Sequence, residues 1–406
     1  VNLKILNERY VILRPISWRW AASRFAEAPI LRAVRHLPVY GEPVWFRFSH
    51  FQDSAMNETR PHVVPTDPGT KWVKDPSPAI DVPPDGETAP AADGQWPPEA
   101  RRTGLHSCVA PTVVEIPGGG YRMYYTHVSP RPDCPQGAND YGNATSRILS
   151  ATSVDGTKWN PESGVRLSPQ KGGAGEYRVV APEVVPIPDG SGRWRMYFEC
   201  CPGTQAEAST IRSAVSADGL EWTMESGARL SGRGGSFNAP RVLRLDDGRC
   251  RMYCSDQVEG IVSAVSEDGG YDFTLEPGRR IVRELSYEAH VAYAPEVLHV
   301  EGGGYRMYYA GYSDPTHTCI LTAVSDDGLR WHKGSEPVIL PGGPHDAAKC
   351  SEMAVMQLPQ TSGRPPRYRM FWEGCDGTAP DKRGVWRIVS ATSALVPPIS
   401  SVITSC

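Results

Sequence analysis

The chain has 406 residues, including 40 Gly and 38 Pro, and its formal net charge is −4. Gly and Pro interrupt regular elements, so this content favours a fold with many turns. The 42 basic residues form no basic block, which excludes the positive face of a nucleic-acid-binding protein, and no apolar run reaches the ~18 residues of a membrane span.

Residues 1–64 precede the repeated part of the chain, and we expect them to pack on it as an extension, with a lid as the alternative. Pro29 is a suitable first residue for a short helix that ends near Val34. Charged residues interrupt the short apolar runs at the start of the chain. This pattern does not match a secretion signal and predicts a cytoplasmic protein, the alternative being a leader removed before Val1.

Five repeats follow one another from residue 105 onward. Four contain A-P-x-V and then R-M-Y, and the fifth keeps the frame without Ala-Pro. A second block, A-x-S-x-D-G-x-x-W, follows in most repeats, so each repeat is typical of four antiparallel strands with an Asp-Gly turn. Five such units predict an all-β fold, a five-bladed β-propeller of four-stranded antiparallel blades over residues 65–394, with a tail over 395–406.

The fifth repeat ends near residue 394 without its own D-G-x-x-W strand. Residues 66–83, TDPGTKWVKDPSPAIDVP, match the missing piece. We therefore predict that a strand within 70–82 pairs beside residues 385–393 and closes the ring, so that no sheet edge stays open. Residues 84–104 are predicted to be an irregular connector.

The repeated acidic residues are interpreted as structural. Copies at equivalent positions cannot all reach one active site, and Asp before Gly caps a tight turn. The Arg of the R-M-Y motif and the Glu of A-P-E-V are repeated in the same way. This interpretation covers Asp155, Asp218, Asp268, Asp327, Glu183 and Glu296.

The combination of A-P-x-V, Y-R-M-Y-Y and A-x-S-x-D-G-x-x-W resembles the five-bladed furanosidase-type glycoside hydrolases, the arabinanase, xylosidase and fructosidase superfamily. The resemblance implies an Asp in blade one as base or nucleophile, an Asp in blade two that tunes pKa values, and a Glu in blade three as general acid. The matching positions hold Ala110, Ala181 and Asn238. The usual two-carboxylate mechanism therefore lacks its carboxylates at the usual positions.

Residues that vary between repeats at the starts of first strands and the ends of second strands are the candidates for a site. Glu352 replaces the Ala of Ala-Pro, and Glu199 and Glu373 follow equivalent R-M motifs. The catalytic candidates are Glu352, Glu199, Glu373 and Asp256. The substrate-binding candidates are Arg178, Asn238, His106, His290, Tyr293 and Tyr177.

These residues favour a carbohydrate-active enzyme that acts on an oligosaccharide or another small molecule, with Glu352 and Glu199 as the acid/base pair and no cofactor. A divalent metal held by His106, His290 and Glu352 is an alternative. Two other functions stay open: a biosynthetic lyase, cyclase or isomerase in the same funnel, and a glycan-binding propeller without catalysis. The fold alone does not separate them.

Overall fold

A computed structural model describes residues 66–89, 91, 96–131, 144–170, 177–202, 208–230, 236–256, 260–301, 303–359, 366–378 and 384–394. The predictions for residues 1–64 and for the tail over 395–406 lie outside this part of the chain. The described residues form an all-β structure with one short 3-10 turn, Ser286–Glu288. None of the helical segments among them is long and apolar enough to cross a membrane.

The strands follow the sequence repeats in chain order. They are β1 (Trp72–Lys74), β2 (Ser107–Glu115), β3 (Tyr121–Pro130), β4 (Ala144–Ser153), β5 (Asn160–Pro161), β6 (Arg178–Pro186), β7 (Trp194–Cys201), β8 (Thr210–Ser216), β9 (Thr223–Met224), β10 (Phe237–Arg244), β11 (Cys250–Asp256), β12 (Gly260–Ser266), β13 (Thr274–Leu275), β14 (Val291–Val300), β15 (Gly304–Asp314), β16 (His317–Ser325), β17 (His332–Lys333), β18 (Lys349–Gln357), β19 (Tyr368–Cys375) and β20 (Trp386–Ser393).

These strands form five four-stranded antiparallel units. Sheet 1 contains β2 to β5, sheet 2 contains β6 to β9, sheet 3 contains β10 to β13, and sheet 4 contains β14 to β17. Sheet 5 contains β18 to β20 and takes β1 as its outer strand, and a single parallel bridge between Ser107 and Trp386 links it to sheet 1. The second strands are buried on both faces because each sheet packs between two neighbours; Met196, Tyr197 and Phe198 of β7 are all buried.

The sheets contact one another in a circular order. The first strands β2, β6, β10, β14 and β18 each contact the next, and β18 contacts β2. Edge-to-face aromatic pairs, formed by residues outside the first strands, join the same neighbouring sheets, with centroid distances of 5.4–5.9 Å. The pairs that join sheets 1 and 2, 2 and 3, 3 and 4, 4 and 5, and 5 and 1 are Tyr124–Trp222, Tyr197–Phe273, Tyr253–Trp331, Tyr308–Trp72 and Phe371–Trp159.

The repeated Asp-Gly turns dock on the R-M-Y motif of the preceding sheet. Asp218 accepts hydrogen bonds from the backbone N–H groups of Leu220 (2.8 Å) and Glu221 (2.9 Å). Tyr124 of sheet 1 donates to the Gly219 carbonyl at 2.9 Å. Gly219 has φ = 74°, and a Cβ at this position would overlap the Tyr124 hydroxyl. Asp155, Asp268 and Asp327 accept equivalent bonds in their own turns, so the four repeated Asp residues are turn residues, as the sequence predicts.

The segment before the first repeat supplies the missing outer strand of sheet 5. Trp72, Val73 and Lys74 pair antiparallel with Ser393, Thr392 and Ala391. The turn that precedes this strand docks on sheet 4, where Tyr308 donates to the Gly69 carbonyl at 2.6 Å. This segment thus makes the contacts that an internal Asp-Gly turn makes in sheets 2 to 4, and the pairing predicted for residues 70–82 is present.

We expect this segment to be required for stability. Ile80 bridges Ile388 and is only 1% exposed, whereas Val73 in the same segment is 62% exposed. Ile80→Ala should therefore lower the free energy of unfolding by about 2–5 kcal/mol, and Val73→Ala, as the matched control, by less than about 0.5 kcal/mol. Equal urea midpoints for the two variants would show that the segment does not hold sheet 5 together.

Candidate active site

The first strand of every sheet carries a bulge at the same level. In sheets 1 to 4 the pairing shifts at Ala-Pro, and the four alanines, Ala110, Ala181, Ala239 and Ala294, have φ of 48–51°. A positive φ is costly for a residue that carries a Cβ, so four copies at equivalent positions indicate a constrained region. The four alanines also pack together as one buried cluster, which places the bulges around a common centre.

Sheet 5 differs from the other four sheets in the side chain of its bulge residue. Its bulge consists of Glu352 alone, with φ = 30°, between the paired residues Ser351 and Met353. A carboxylate therefore takes the place that a methyl group takes in the other four sheets. Glu352 Oε2 is buried, and no described residue hydrogen-bonds to it. A buried acceptor of this kind is unfavourable unless it is protonated or bound by a ligand.

The second strands place one side chain opposite each bulge. In sheets 1, 3 and 5 this side chain accepts a hydrogen bond from the bulge N–H of the next sheet. The pairs are Thr126 with Ala181 (3.1 Å), Ser255 with Ala294 (2.8 Å), and Glu373 with Ala110 (3.3 Å). Glu199 takes this position in sheet 2 and Ala310 takes it in sheet 4. Glu199 and Glu373 therefore lie at the same level, as their motifs predict.

Glu352, Glu373 and Glu199 form one electrostatic group, here called the acid cluster. Burial, followed by repulsion from the Glu373 and Glu199 carboxylates, raises the pKa of Glu352 well above the usual range for Glu. Arg241 and a hydrogen bond with Tyr293 act against this increase. Burial also raises the pKa of Glu373 to about 7, although Ser351 donates to its carboxylate at 2.6 Å. The cluster therefore contains carboxyls that keep a proton at neutral pH.

Glu199 has more hydrogen-bond donors than Glu352. Ser209 donates to its Oε1 at 3.0 Å and the Cys201 thiol at 3.2 Å, and Asn238 is a further partner. Burial nevertheless raises the pKa of Glu199, although these bonds and the nearby Arg178 oppose the increase. Arg178 therefore acts to lower the pKa of Glu199, but desolvation outweighs this effect and the net shift is upward.

One buried guanidinium contacts the first strands of all five sheets. Arg241 Nε donates to Glu296 at 2.8 Å and lies 3.9 Å from Glu183. Its terminal nitrogens donate to the carbonyls of Pro240 (2.9 Å), Met353 (3.0 Å) and Pro111 (3.1 Å). Arg241 is thus the cation that balances the two repeated glutamates, and it holds the backbone directly after Glu352.

The other sequence-predicted residues fall into two groups. Asn238, Arg178 and Tyr293 interact with the acid cluster. Asp256 and His106 are buried, His290 is exposed, and Tyr177 is partly exposed beneath the Arg131 guanidinium, 4.5 Å above its ring. The structure does not unite His106, His290 and Glu352 in one metal-binding group, since no three His, Cys, Asp or Glu residues in the described ranges are arranged to hold a metal.

Sequence reasoning missed Arg241 and Ser351. Tyr312 donates to Ser351 at 3.2 Å, and Ser351 donates to Glu373 at 2.6 Å, so the three side chains form a hydrogen-bonded chain that ends at the acid cluster. The signal for Arg241 was present in the repeats. The position after Ala-Pro holds Thr, Glu, Arg and Glu in turn, and the single Arg alongside two Glu marks the counterion.

The raised pKa values predict a specific pH dependence of stability. A Glu whose pKa rises from 4.5 to about 7 on folding favours the folded state below pH 4.5 and loses this contribution as the pH rises through 7. For one such group the loss is about 3 kcal/mol. Glu373→Gln mimics the protonated form, so we expect the variant to lose less stability between pH 5 and pH 8 than the wild type.

Chemical denaturation at a series of pH values measures this effect. The exposed Glu301→Gln is the matched control and should keep the wild-type pH profile. Identical profiles for the Glu373 variant and the wild type would mean that Glu373 ionises normally in the folded protein.

Comparison with known proteins gives a match by structure but not by sequence. No protein-family model matches the sequence, and no curated protein matches it. Solved structures do match: a glycoside hydrolase has 16% identity and a TM-score of 0.61 over 80% of this chain and 93% of its own. A thermostable family-43 glycoside hydrolase has 18% identity and a TM-score of 0.55 over 73% of this chain and 96% of its own.

A third match comes from the GH130 family of mannoside phosphorylases, which contains glycoside hydrolases that target β-1,2 mannosidic linkages. It has 14% identity and a TM-score of 0.57 over 81% of this chain and 96% of its own. At these identities the likeness is one of fold. The resemblance inferred from the A-P-x-V and D-G-x-x-W motifs is thereby confirmed at the level of the fold.

Proposed function

We propose that the five sheets form a closed five-bladed β-propeller, spanning residues 65–394, and that the chain is a carbohydrate-active hydrolase with the acid cluster as its catalytic centre. The observation that carries this proposal is Glu352. It stands at a strained bulge where the other four sheets have Ala, its Oε2 is buried without a partner among the described residues, and Glu373 and Glu199 lie within electrostatic range.

Three features support the closed ring. The first strands contact one another in circular order, and the aromatic pairs return from sheet 5 to sheet 1 through Phe371 and Trp159. The likeness to solved glycoside hydrolases covers about four-fifths of this chain in the first of the matches above. A ring of this kind gathers the bulges of all five first strands at one centre, where a small ligand can contact several sheets.

The environments of the two acids assign their roles. Glu352 has a strongly raised pKa and few donors, so it holds a proton and acts as the general acid. Glu199 has Ser209, Cys201 and Asn238 as donors, with Arg178 close by, so it is better suited to carry the negative charge of a general base. Glu373, with a pKa of about 7, sets the charge of the cluster through its repulsion of Glu352.

The proposed reaction is hydrolysis of a glycosidic bond. Glu352 transfers its proton to the leaving-group oxygen as the bond from that oxygen to the anomeric carbon breaks. Water attacks the same carbon, and Glu199 takes the proton that the water loses. Tyr293, Asn238 and Arg178 lie beside these acids and orient the sugar hydroxyls. No step of this chemistry requires a cofactor.

A substrate panel in isotopically labelled water tests the proposal. The panel contains the nitrophenyl arabinofuranosides, xylosides, fructosides and mannosides, and the product is analysed by mass spectrometry. Hydrolysis places the label in the released sugar. Conversion without label would move the assignment to elimination or cyclisation, and binding without conversion would make the protein a glycan-binding propeller.

A further inference from the structure

A cavity lies at one end of sheet 1, apart from the acid cluster. It has a volume of about 540 Å³. Its lining comes from the two residues just before β2, from β3 and β4, from residues 168–169, and from the connector over 85–88. None of Glu352, Glu373 and Glu199 is among its lining residues. The proposed hydrolysis leaves this cavity without a role.

A stacked pair of histidines lines this cavity. The rings of His106 and His127 are 5.4 Å apart and nearly parallel, and both line the cavity. Arg147 Nε donates to His127 Nδ1 at 3.3 Å. Because a guanidinium can only donate, Nδ1 is the acceptor, and the proton of the neutral ring sits on Nε2. His127 therefore presents an N–H donor in a fixed tautomer.

The structure leaves two nitrogens of this pair without partners. His127 is fully buried, and its Nε2 has no hydrogen-bond partner among the described residues; the same holds for Nδ1 of His106, which is 6% exposed. Burial, Arg147 and His106 lower the pKa of His127 to about 3, so the ring stays neutral. Two buried polar atoms in one stack are costly unless a ligand or water binds them. The stack therefore has the character of a neutral hydrogen-bonding site.

The other lining residues indicate which ligand fits. Pro130 and Pro169 contribute apolar surface, whereas Asp85 and Glu87 contribute carboxylates that oppose the charge of Arg147. A phosphate or a polyanion would be repelled by these two acids. A neutral saccharide suits the cavity, because sugar rings combine apolar faces with hydroxyl donors and acceptors, and the volume is in the range of small-ligand sites.

The separation between the cavity and the centre of the sheets follows from the chain between His106 and Ala110. His106 precedes Ala110, a member of the central alanine cluster, by four residues of nearly continuous extended chain, which corresponds to about 13 Å. This separation exceeds the span of one sugar ring. We propose that the cavity is a distal saccharide-binding site and that the substrate, on the proposed function above, is a neutral oligosaccharide long enough to reach from this cavity to Glu352.

Binding of neutral oligosaccharides tests this inference on the full-length protein. The probes are arabino-, xylo-, fructo- and manno-oligosaccharides, from mono- to hexasaccharides, measured by isothermal titration calorimetry on the Glu352→Gln background so that they are not consumed. We expect the affinity for one series to rise with chain length. His127→Phe keeps the stacked ring and removes Nε2–H, so it should weaken binding of the longer members by about 10-fold.

A matched control is available elsewhere in the chain. His299 stacks on Tyr305 at 4.9 Å in sheet 4, so His299→Phe makes the same change in a stacked pair outside the cavity and should leave the affinity unchanged. If His127→Phe does not fold, a long-range histidine NMR spectrum of the wild type replaces it, and the His127 Nε2–H signal should shift when the oligosaccharide is added.

Three outcomes would overturn the inference: no neutral oligosaccharide binds, the affinity is independent of chain length, or His127→Phe and His299→Phe behave alike. These results are distinct from failure of the proposed function. The latter is judged by turnover in the wild type, and the wild type can hydrolyse a short nitrophenyl glycoside whether or not the cavity binds sugar.

Discussion

We expect Glu352→Gln to reduce turnover of a glycoside substrate by at least about 100-fold while the protein remains folded. The substitution preserves the shape of the side chain and removes the proton that the leaving group needs. Because Glu352 keeps its proton at neutral pH, the substitution replaces one neutral group by another, so stability should not fall. Steady-state kinetics together with near-ultraviolet circular dichroism separate loss of chemistry from loss of fold.

Glu183→Gln is the matched control for this experiment. Glu183 is also a buried carboxyl on a first strand, but it bonds to Thr112 at 2.9 Å and faces Arg241. We expect its substitution to affect stability more than turnover. The pH profile gives a further check, because the wild-type rate should fall at high pH as the general acid loses its proton. A fully active Glu352→Gln enzyme would contradict the role of Glu352.

The largest expected effect on stability is that of Arg241→Met. Methionine fills much of the space of the arginine stem but leaves Glu183 and Glu296 buried without their cation, and it breaks the bonds to the Pro111 and Met353 carbonyls. Removing one partner of a buried ion pair costs about 3–5 kcal/mol. Arg249 is partly exposed and pairs with Asp247 at 2.7 Å. It provides the control Arg249→Met, which should cost less than about 1 kcal/mol.

Urea denaturation at two pH values makes the Arg241 prediction specific. Burial raises the pKa of Glu183 to about 7, so this carboxyl is neutral at pH 5. The guanidinium of Arg241 then stabilises it less than it stabilises the carboxylate at pH 8. The loss caused by Arg241→Met should therefore be smaller at pH 5 than at pH 8. A loss that is the same at both pH values would indicate that Arg241 acts through packing alone.

The repeats made the strands and the donated outer strand predictable. Five aligned copies define which positions pair, and the absent turn of the fifth copy appears at residues 66–72. Variation against the repeated background also pointed to Glu352, because a Glu in an Ala slot changes the chemistry of the bulge. These predictions were possible because the order of the repeats and the residue type at each aligned position can be read directly from the sequence.

Burial and partner identity were not predictable in the same way. The net pKa shift of Glu199 depends on desolvation, which a sequence does not show, and Arg178 is too weak an influence to reverse it. Arg241 follows Ala-Pro, where two other repeats carry the Glu that the sequence indicates is structural, yet its side chain reaches strands from four other sheets. His290, expected beside the acids, is exposed.

The most direct test of the acid cluster as a hydrolytic centre is incorporation of isotopically labelled water by the wild type and by Glu352→Gln, assayed side by side on the same glycoside. We expect labelled sugar from the wild type and a rate at least about 100-fold lower from the variant. Equal rates of label incorporation, or a product without label, would contradict a hydrolase that uses Glu352 as its acid.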